Sequence, residues 1–264
     1  MGWLKKRLRE LTHPEITVSE EDGVRYLHLG GEHIQSAMRI DAPADLELDY
    51  TRTMMAFLLF HARPRECLMV GLGGGSIPKF ILENLPSVRT RVVELNPAVI
   101  TAARGLFNVP GDSTKLRIEL GDGAAAVHAM EEGCDLLFID GFDDGDQVPA
   151  LVSEDFYAAA YRALRTPGVL VLNFFGHDRR FDRYLRRVEA IFGGCVICLN
   201  AREDGNVIVF ALKGAPRAIE WEELKRCAFK LEAKLGLPFV RYVAGLRKMN
   251  RWTRQELLIA PDTA

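Results

Sequence analysis

The sequence of 264 residues predicts an α/β fold built on a mostly parallel sheet, with a small β domain in front of it. Three observations lead to this prediction. From residue 66 onward, short apolar runs alternate with amphipathic segments of helical length, which is typical of parallel strands covered by helices on both faces. Residues 15–47 instead contain short runs rich in β formers, separated by glycine turns. Near the end, two apolar runs flank a tight turn, which predicts an antiparallel hairpin closing the sheet.

The N-terminal part of the chain predicts a small antiparallel sheet. Its strands are expected at residues 16–18, 24–29 and 33–40, after a short basic helix over residues 1–14. Residues 48–62 carry apolar side chains at helical spacing and are followed by Pro64, which predicts a helix. We therefore divide the chain into a β domain over residues 1–47 and an α/β domain with C-terminal helices over residues 48–264.

The α/β domain repeats the same unit several times. Strands are expected at residues 66–70, 90–95, 116–120, 135–140 and 168–174. Helices are expected at residues 76–85, 97–106, 123–132, 153–165 and 179–192. The closing hairpin comprises residues 195–200 and 206–212 around the turn at 202–205, and residues 219–250 predict one or two outer helices.

A glycine turn follows the first of these strands, with the spacing Gly71-x-Gly73-x-Gly75. Ser76 is then a candidate N-cap of the next helix. Glycines allow close backbone approach, and a helix start offers free N–H groups, so the stretch predicts a site for a nucleotide-like ligand. A tight turn without a ligand is the alternative.

The kind of ligand is indicated by two features. The turn has no glycine at position 76, which fits the nucleoside-binding turn of adenosylmethionine-type enzymes better than the dinucleotide fingerprint. A closing antiparallel hairpin is also typical of adenosylmethionine-dependent folds, and dinucleotide Rossmann folds lack it. We therefore expect the Rossmann-like sheet of an adenosylmethionine-dependent transferase.

Acidic residues end the next strands, where ligands of such sheets bind. Glu94 is expected to accept hydrogen bonds from a ribose diol. Asp122 is expected to accept from an adenine amine, with capping of the next helix as the alternative. Asp140 opens a loop that contains four carboxylates within seven residues. This loop predicts a pocket for a cationic substrate with Asp140 as general base, or else a solvated turn. Like charges nearby would raise one of these pKa values.

Composition excludes several classes of function. A net charge of −2 gives no electrostatic reason to expect nucleic acid or an anionic membrane as partner. The five cysteines are scattered and fit a reducing cytosol. Cys195-x-x-Cys198 has metal-like spacing but lies in an apolar run without a second Cys/His pair, so no metal is expected. Without a signal peptide or a run long enough to span a bilayer, the protein is expected to be cytoplasmic.

Together, these motifs resemble the polyamine aminopropyltransferases, the spermidine-synthase-like proteins, over residues 22–212. The motifs that carry the resemblance are Ile34-Gln35, Asp49-Tyr50, Leu72-Gly73-Gly74-Gly75, Val93-Glu94-Leu95, Gly121-Asp122-Gly123 and Asp140-Gly141-Phe142-Asp143. The resemblance implies transfer of an aminopropyl group from decarboxylated S-adenosylmethionine to an amine such as putrescine. It also implies a homodimer that meets through the N-terminal β domain.

The resemblance also implies a role for each motif. Glu94 would hold the ribose of the donor and Asp122 its adenine. Asp140 would deprotonate the attacking amine, with Tyr50 as the second catalytic residue, and Asp143 and Tyr50 would help to hold the amine. Gln35 and Tyr50 would line the junction between donor and acceptor. Further donor-binding candidates are Gly71, Gly73, Gly75, Ser76, Leu95 and Gly123.

Three departures from the family pattern indicate a divergent member. Ser76 stands where the family usually has an aspartate that pairs with the aminopropyl ammonium and would repel the carboxylate of intact S-adenosylmethionine, so the donor is open between the two. Asp144 replaces a proline usual in the catalytic loop. Thr51-Arg52 replaces a His/Gln-Glu pair, which puts a cation where a polyamine would bind.

Other functions remain open at this point. The first is an S-adenosylmethionine-dependent methyltransferase on the same sheet, for which Ser76 argues. The second is a non-catalytic homologue whose acidic loop is a simple turn. A nicotinamide oxidoreductase is disfavoured by the missing third glycine and by the closing hairpin.

Overall fold

The computed structural model describes residues 15–31, 34–140, 142–143, 146–202 and 205–260, with backbone alone at 142–143 and 146–147. The strands are β1 (Ile16–Glu21), β2 (Val24–Leu29), β3 (Ile34–Arg39), β4 (Glu66–Val70), β5 (Arg89–Glu94), β6 (Leu116–Leu120), β7 (Cys134–Ile139), β8 (Phe142–Asp143), β9 (Asp146–Gln147), β10 (Leu164–Phe175), β11 (Val196–Asn200), β12 (Asn206–Lys213), β13 (Ala218–Glu220) and β14 (Glu256–Leu258). The α-helices are α1 (Asp49–Met54), α2 (Ser76–Asn84), α3 (Pro97–Leu106), α4 (Gly123–His128), α5 (Glu154–Ala163), α6 (Phe181–Ile191), α7 (Trp221–Leu235) and α8 (Phe239–Gly245).

A seven-stranded sheet in the order β11-β12-β10-β7-β4-β5-β6 forms the centre of the fold. The five strands from β10 to β6 in this order run parallel to one another. β12 is antiparallel to both β10 and β11. The predicted fold class, a mostly parallel sheet closed by an antiparallel hairpin, is therefore confirmed.

The central strands are apolar on both sides because each face of the sheet carries its own core. In β4, Cys67 and Met69 face one hydrophobic cluster, and Leu68 and Val70 face the other. Successive side chains of a strand point to opposite faces, so a strand buried on both sides must be apolar throughout. This burial fixes the register of the strands and thereby the place where each one ends.

The N-terminal strands form a separate antiparallel sheet in the order β1-β2-β3. Leu27 of β2 and Met38 of β3 pack against Ala102 of α3 and against Phe107 just after it. This contact holds β3 close to the carboxyl ends of β4 and β5. The domain boundary after residue 47 stays a prediction, and the expected basic helix over residues 1–14 lies outside the described residues.

Several elements differ from the predictions. The segment 48–62 is not one helix, because α1 ends at Met54 and a 3-10 helix follows over Met55–Leu59. The predicted outer helices are present as α7 and α8. β13 and β14 pair on either side of them, a ribbon that the sequence did not predict because its strands have three residues each. Among the described residues, no helix combines the length and apolarity needed to cross a bilayer.

Candidate active site

The glycine turn between β4 and α2 is shaped by three glycines in the left-handed region. Gly71, Gly73 and Gly75 have φ values of 93°, 54° and 69°. A Cβ at Gly75 would lie 2.3 Å from Val109 Cγ2, and one at Gly74 would lie 2.8 Å from both Phe107 and Ser36. Side chains are therefore excluded here by backbone conformation and by close neighbours, which explains the glycine-rich sequence.

Ser76 does not cap α2, contrary to the sequence-based prediction. The cap position is Gly75 with its left-handed backbone, and Ser76 is the first helical residue. The buried Ser76 hydroxyl donates a hydrogen bond to the Ala37 carbonyl at 3.2 Å and lies 3.3 Å from the Ser36 hydroxyl. Ser76 thus ties α2 to β3, and this contact between distant segments could not be inferred from local sequence.

Glu94, at the end of β5, holds the glycine turn through its carboxylate. Its Oε2 accepts from the Leu72 backbone N–H at 2.9 Å, and its Oε1 accepts from the Asn96 N–H at 2.8 Å. Each carboxylate oxygen has a second lone pair that can accept from a ligand hydroxyl. Leu95 follows with 59% of its surface exposed, so an apolar side chain lies in solvent beside the acid.

Asp122 caps α4, which is the alternative that the sequence left open. Its Oδ1 accepts from the Ala124 and Ala125 N–H groups at 2.8 and 3.3 Å. The side chain is exposed at the same sheet edge as Glu94, so capping leaves the carboxylate accessible. Gly123 is buried, and a Cβ there would lie 2.2 Å from Val70 Cγ1. The glycine is required for α4 to start directly against β4.

Asp140 follows β7 and lies next to the glycine turn, because its backbone N–H donates to the Val70 carbonyl at 3.1 Å. Its Oδ2 lies 3.4 Å from the Tyr50 hydroxyl, which is also 3.4 Å from the Gln35 carbonyl. The N-terminal sheet, α1 and the central sheet therefore converge at this carboxylate. Burial raises the pKa of Asp140, while hydrogen bonds from Asn173 and Tyr50 oppose this increase.

Two buried asparagines lie behind Asp140, and the sequence did not predict them. Asn173 Nδ2 donates to Asp140 Oδ1 at 3.0 Å, and Asn206 Nδ2 donates to Asn173 Oδ1 at 2.7 Å. Both residues are only 4% exposed. The available signal was a polar residue within the apolar run Leu172-Asn173-Phe174, at the carboxyl end of a strand.

The acidic loop after Asp140 is described only in part. The backbone of Asp143 lies in β8, which pairs with β9, but its side chain is outside the described part of the chain, as is Asp144. Within the described residues, no group of three or more His, Cys, Asp or Glu side chains is arranged to hold a metal ion. The expected metal-free reaction stays a prediction.

Comparisons with known proteins identify close relatives, although no family model matches the chain. The polyamine aminopropyltransferase of Chromobacterium violaceum is 42% identical over 246 residues, which cover 93% of this chain and 94% of the relative. The Neisseria meningitidis serogroup A protein of the same name is 40% identical over 238 residues, 90% of each chain. The eEF1A lysine and N-terminal methyltransferase of Xenopus laevis is 30% identical over 186 residues, but these cover 66% of this chain and 27% of that protein.

Solved structures share the fold at low sequence identity. A probable spermidine synthase from Corynebacterium glutamicum superposes with a TM-score of 0.69 at 17% identity, covering 89% of this chain and 94% of its own. A spermidine synthase in complex with the transition state analogue AdoDATO gives a TM-score of 0.66 at 21% identity, with 87% and 85% covered. Human methyltransferase-like protein 13 in complex with SAH gives 0.63 at 24% identity, with 79% and 96% covered.

Proposed function

The chain belongs to the polyamine aminopropyltransferase family, and we propose that it moves an aminopropyl group from decarboxylated S-adenosylmethionine to an amine such as putrescine. The observation that carries this proposal is the approach of Tyr50 to Asp140 beside the glycine turn. This arrangement places the partly buried Asp140 carboxylate at the edge of the sheet where the donor's reactive carbon would lie. Assembly as a homodimer is part of the same proposal.

The donor nucleoside would bind across the ends of β4, β5 and β6. The ribose hydroxyls would donate to Glu94, whose carboxylate is already fixed by two backbone N–H groups. The adenine amine would donate to Asp122, and the exposed Leu95 would pack against the ring. Gly71, Gly73, Gly75, Ser76, Gly123 and Gln35 would complete the walls of this donor site.

The reaction is a substitution at the carbon beside the sulfonium. An alkylamine has a pKa close to that of lysine, about 10.4, so at neutral pH it is mostly protonated and not nucleophilic. Asp140 would accept the proton as the nitrogen attacks. The new C–N bond forms as the C–S bond breaks, and the sulfur keeps the bonding electron pair as neutral 5′-methylthioadenosine. Asp143 and Tyr50 would hold the amine in line, and this positioning supplies much of the rate.

A second candidate function is methyl transfer from intact S-adenosylmethionine. Two observations favour it: Ser76 carries no charge that would repel the donor's carboxylate, and a methyltransferase is among the relatives. Isothermal titration with the intact and the decarboxylated donor separates the two functions. Tighter binding of the decarboxylated donor supports aminopropyl transfer, whereas tighter binding of the intact donor favours methyl transfer.

The proposed function is tested by product analysis with the purified protein, putrescine and decarboxylated donor. We expect 5′-methylthioadenosine and spermidine in equal amounts. We also expect Asp140→Asn to fold normally and to lose most of its turnover. Asp155→Asn is the matched control, because Asp155 is an exposed residue of α5 whose carboxylate contacts His128. Wild-type turnover in Asp140→Asn would show that Asp140 is not the base. Binding of no adenosyl thioether at all would support a non-catalytic homologue.

A further inference from the structure

Two asparagine side chains connect the closing hairpin to Asp140. Asn173 lies on β10 and Asn206 on β12, two antiparallel strands in which Asn173 is opposite Ile208 and Asn206 is opposite Phe175. The two amides meet diagonally across this pair at 2.7 Å, and Asn173 continues to Asp140 at 3.0 Å. A hydrogen-bonded chain therefore runs from β12 through β10 to the carboxylate.

Buried amide side chains in a strand lower the stability of the fold unless their hydrogen bonds are satisfied. Both are 4% exposed. Asn173 lies between the buried residues Leu172 and Phe174, and Asn206 begins β12, whose next residues are apolar and buried. Burying an amide without hydrogen-bond partners lowers stability, and an apolar pair of similar shape would avoid that cost. The chain thus retains a polar pair where packing alone would favour an apolar one.

The direction of the hydrogen bonds matches an ionised Asp140. A carboxylate only accepts, so Asn173 must turn its NH₂ group toward Asp140 and its Oδ1 away. Asn206 then has to donate to that Oδ1, as it does. If Asp140 becomes protonated, its O–H needs an acceptor. Reversal of both amides supplies one: Asn173 Oδ1 would face Asp140, and Asn173 Nδ2 would donate to Asn206 Oδ1.

We propose that Asn173 and Asn206 are positioning residues of the reaction, a two-amide chain that orients the Asp140 carboxylate and reverses direction when Asp140 takes up the proton of the amine. The inference rests on the proposed role of Asp140 as the base. It assigns to the closing hairpin a part in proton transfer, through Asn206, which does not itself contact Asp140 in this arrangement.

The titration of Asp140 also depends on the other groups around it. Tyr50 of α1 faces it through its hydroxyl group. Asp143 and Asp146 of the acidic loop follow in the chain, with side chains outside the described residues. These residues are the same in every variant below. Asn206→Asp adds a charge of its own, so Asn206→Ser and Asn206→Ala, which add none, separate the orientation of the amides from repulsion between carboxylates.

The decisive variant is Asn206→Asp, which keeps the shape of the side chain but replaces its donor with an acceptor. The new carboxylate attracts the Asn173 NH₂ and leaves Asn173 Oδ1 facing Asp140. We expect the pKa of Asp140 to increase, and the acid limb of the kcat profile to move to higher pH by the same amount. KM for the donor should stay unchanged, because the chain does not reach the donor site.

The titration of Asp140 can be followed without turnover by carbon NMR of labelled aspartate carboxyls, with the signal identified by its loss in Asp140→Asn. Asn173→Ala should raise the pKa of Asp140 more than Asn206→Ala does, because Asn173 donates directly. Asn206→Ser should shift it least, since its hydroxyl can still donate. Asn200→Ala, an exposed asparagine at the end of β11 in the same hairpin, is the control and should match the wild type.

An unchanged Asp140 titration in both Asn173→Ala and Asn206→Asp would overturn the proposal. So would a reduced kcat in these variants without any movement of the acid limb, because a merely structural defect gives that result. If Asn206→Asp fails to fold, Asn206→Ser and Asn206→Ala decide the question. Wild-type turnover in Asp140→Asn would refute the proposed base, while the carboxyl titration would still report on the amide chain.

Discussion

The Glu94 carboxylate accepts a hydrogen bond from the backbone N–H of Leu72, 22 positions earlier in the chain, at 2.9 Å. This contact joins the end of β5 to the glycine turn after β4. The same carboxylate accepts from the N–H of Asn96. The residue proposed to hold the donor's ribose is thus also the residue that fixes the turn beneath the donor, so binding and local order should be lost together.

Glu94→Gln should weaken binding of 5′-methylthioadenosine. An amide keeps one acceptor oxygen and sets an NH₂ group against a backbone N–H, while the ribose loses a charged partner. Hydrogen bonds to charged groups contribute about 1.5–3 kcal/mol, which corresponds to a roughly 10–100-fold increase in Kd by isothermal titration. Glu119→Gln on β6, which removes a surface ion pair with Arg91, is the control. Equal affinity in the wild type and Glu94→Gln would remove Glu94 from the donor site.

Gly123→Ala should destabilise the fold, whereas Gly105→Ala should not. The new methyl group at residue 123 would lie 2.2 Å from Val70 Cγ1, while the one at residue 105 meets nothing within 4 Å. Overpacking costs about 1–3 kcal/mol. Replacement of the helical Gly105 by alanine should instead stabilise by about 0.5–1 kcal/mol. Urea unfolding of both variants measures this difference, and similar midpoints would contradict it.

Lys79 should make stability depend on pH in the alkaline range. Lys79 is only 5% exposed as a residue, and its ammonium donates to the Phe107 carbonyl. Burial lowers the pKa of Lys79 to about 8. Between about pH 8 and the unfolded pKa near 10.5, the unfolded chain binds more protons, so raising the pH stabilises the fold. This contribution amounts to roughly 3 kcal/mol across that range.

Lys79→Met removes this titration. The free energy of unfolding of the variant minus that of the wild type should therefore decrease as the pH rises from about 8 to 10. Urea unfolding at several pH values measures both proteins under the same conditions, so that other titrating groups cancel. A difference that is independent of pH would show that Lys79 is not titrating in this range.

Asp140 should affect activity and stability in opposite directions. Its pKa is raised by burial, so the ionised base is present only above that pKa, and kcat should decline as the pH decreases through it. The pKa of Asp140 is higher in the folded chain than in the unfolded chain, where it is 3.8. The contribution of Asp140 to stability is therefore complete below pH 3.8, and it is lost as the pH rises through the pKa of the folded chain. Relative to Asp140→Asn, the wild type should lose stability over that interval. Thermal unfolding of both proteins from about pH 4 to 7 checks the direction.

The sequence was sufficient for the order of elements and for the ends of the central strands. A strand that is buried on both faces of the sheet must be apolar throughout, so the continuous apolar run of β4 appears directly in the sequence. The glycine turn was predictable for the same local reason, since its backbone angles exclude side chains. The sequence did not predict β13 and β14, because strands of three residues carry too little pattern.

The site itself was only partly predictable. The positions of Glu94, Asp122 and Asp140 at one edge of the sheet were predictable, because each lies at the end of a strand or within two residues after it. Their roles in binding and catalysis stay predictions. The prediction that Ser76 caps α2 was wrong, because Gly75 occupies the cap position and the Ser76 hydroxyl instead donates to Ala37, 39 positions earlier in the chain. Asn173 and Asn206 were missed because a polar residue in a buried strand has meaning only when its partner is known.

By itself, the sequence determined the fold class, the glycine turn and the row of acids, because these follow from interactions between near neighbours and from the burial of each strand. Only the tertiary structure decided which carboxylate is partly buried, which hydroxyl approaches it and which amides orient it. Those contacts join residues up to 90 positions apart, such as Tyr50 and Asp140, and they arise only when the N-terminal sheet, α1 and the closing hairpin pack around the same edge of the central sheet.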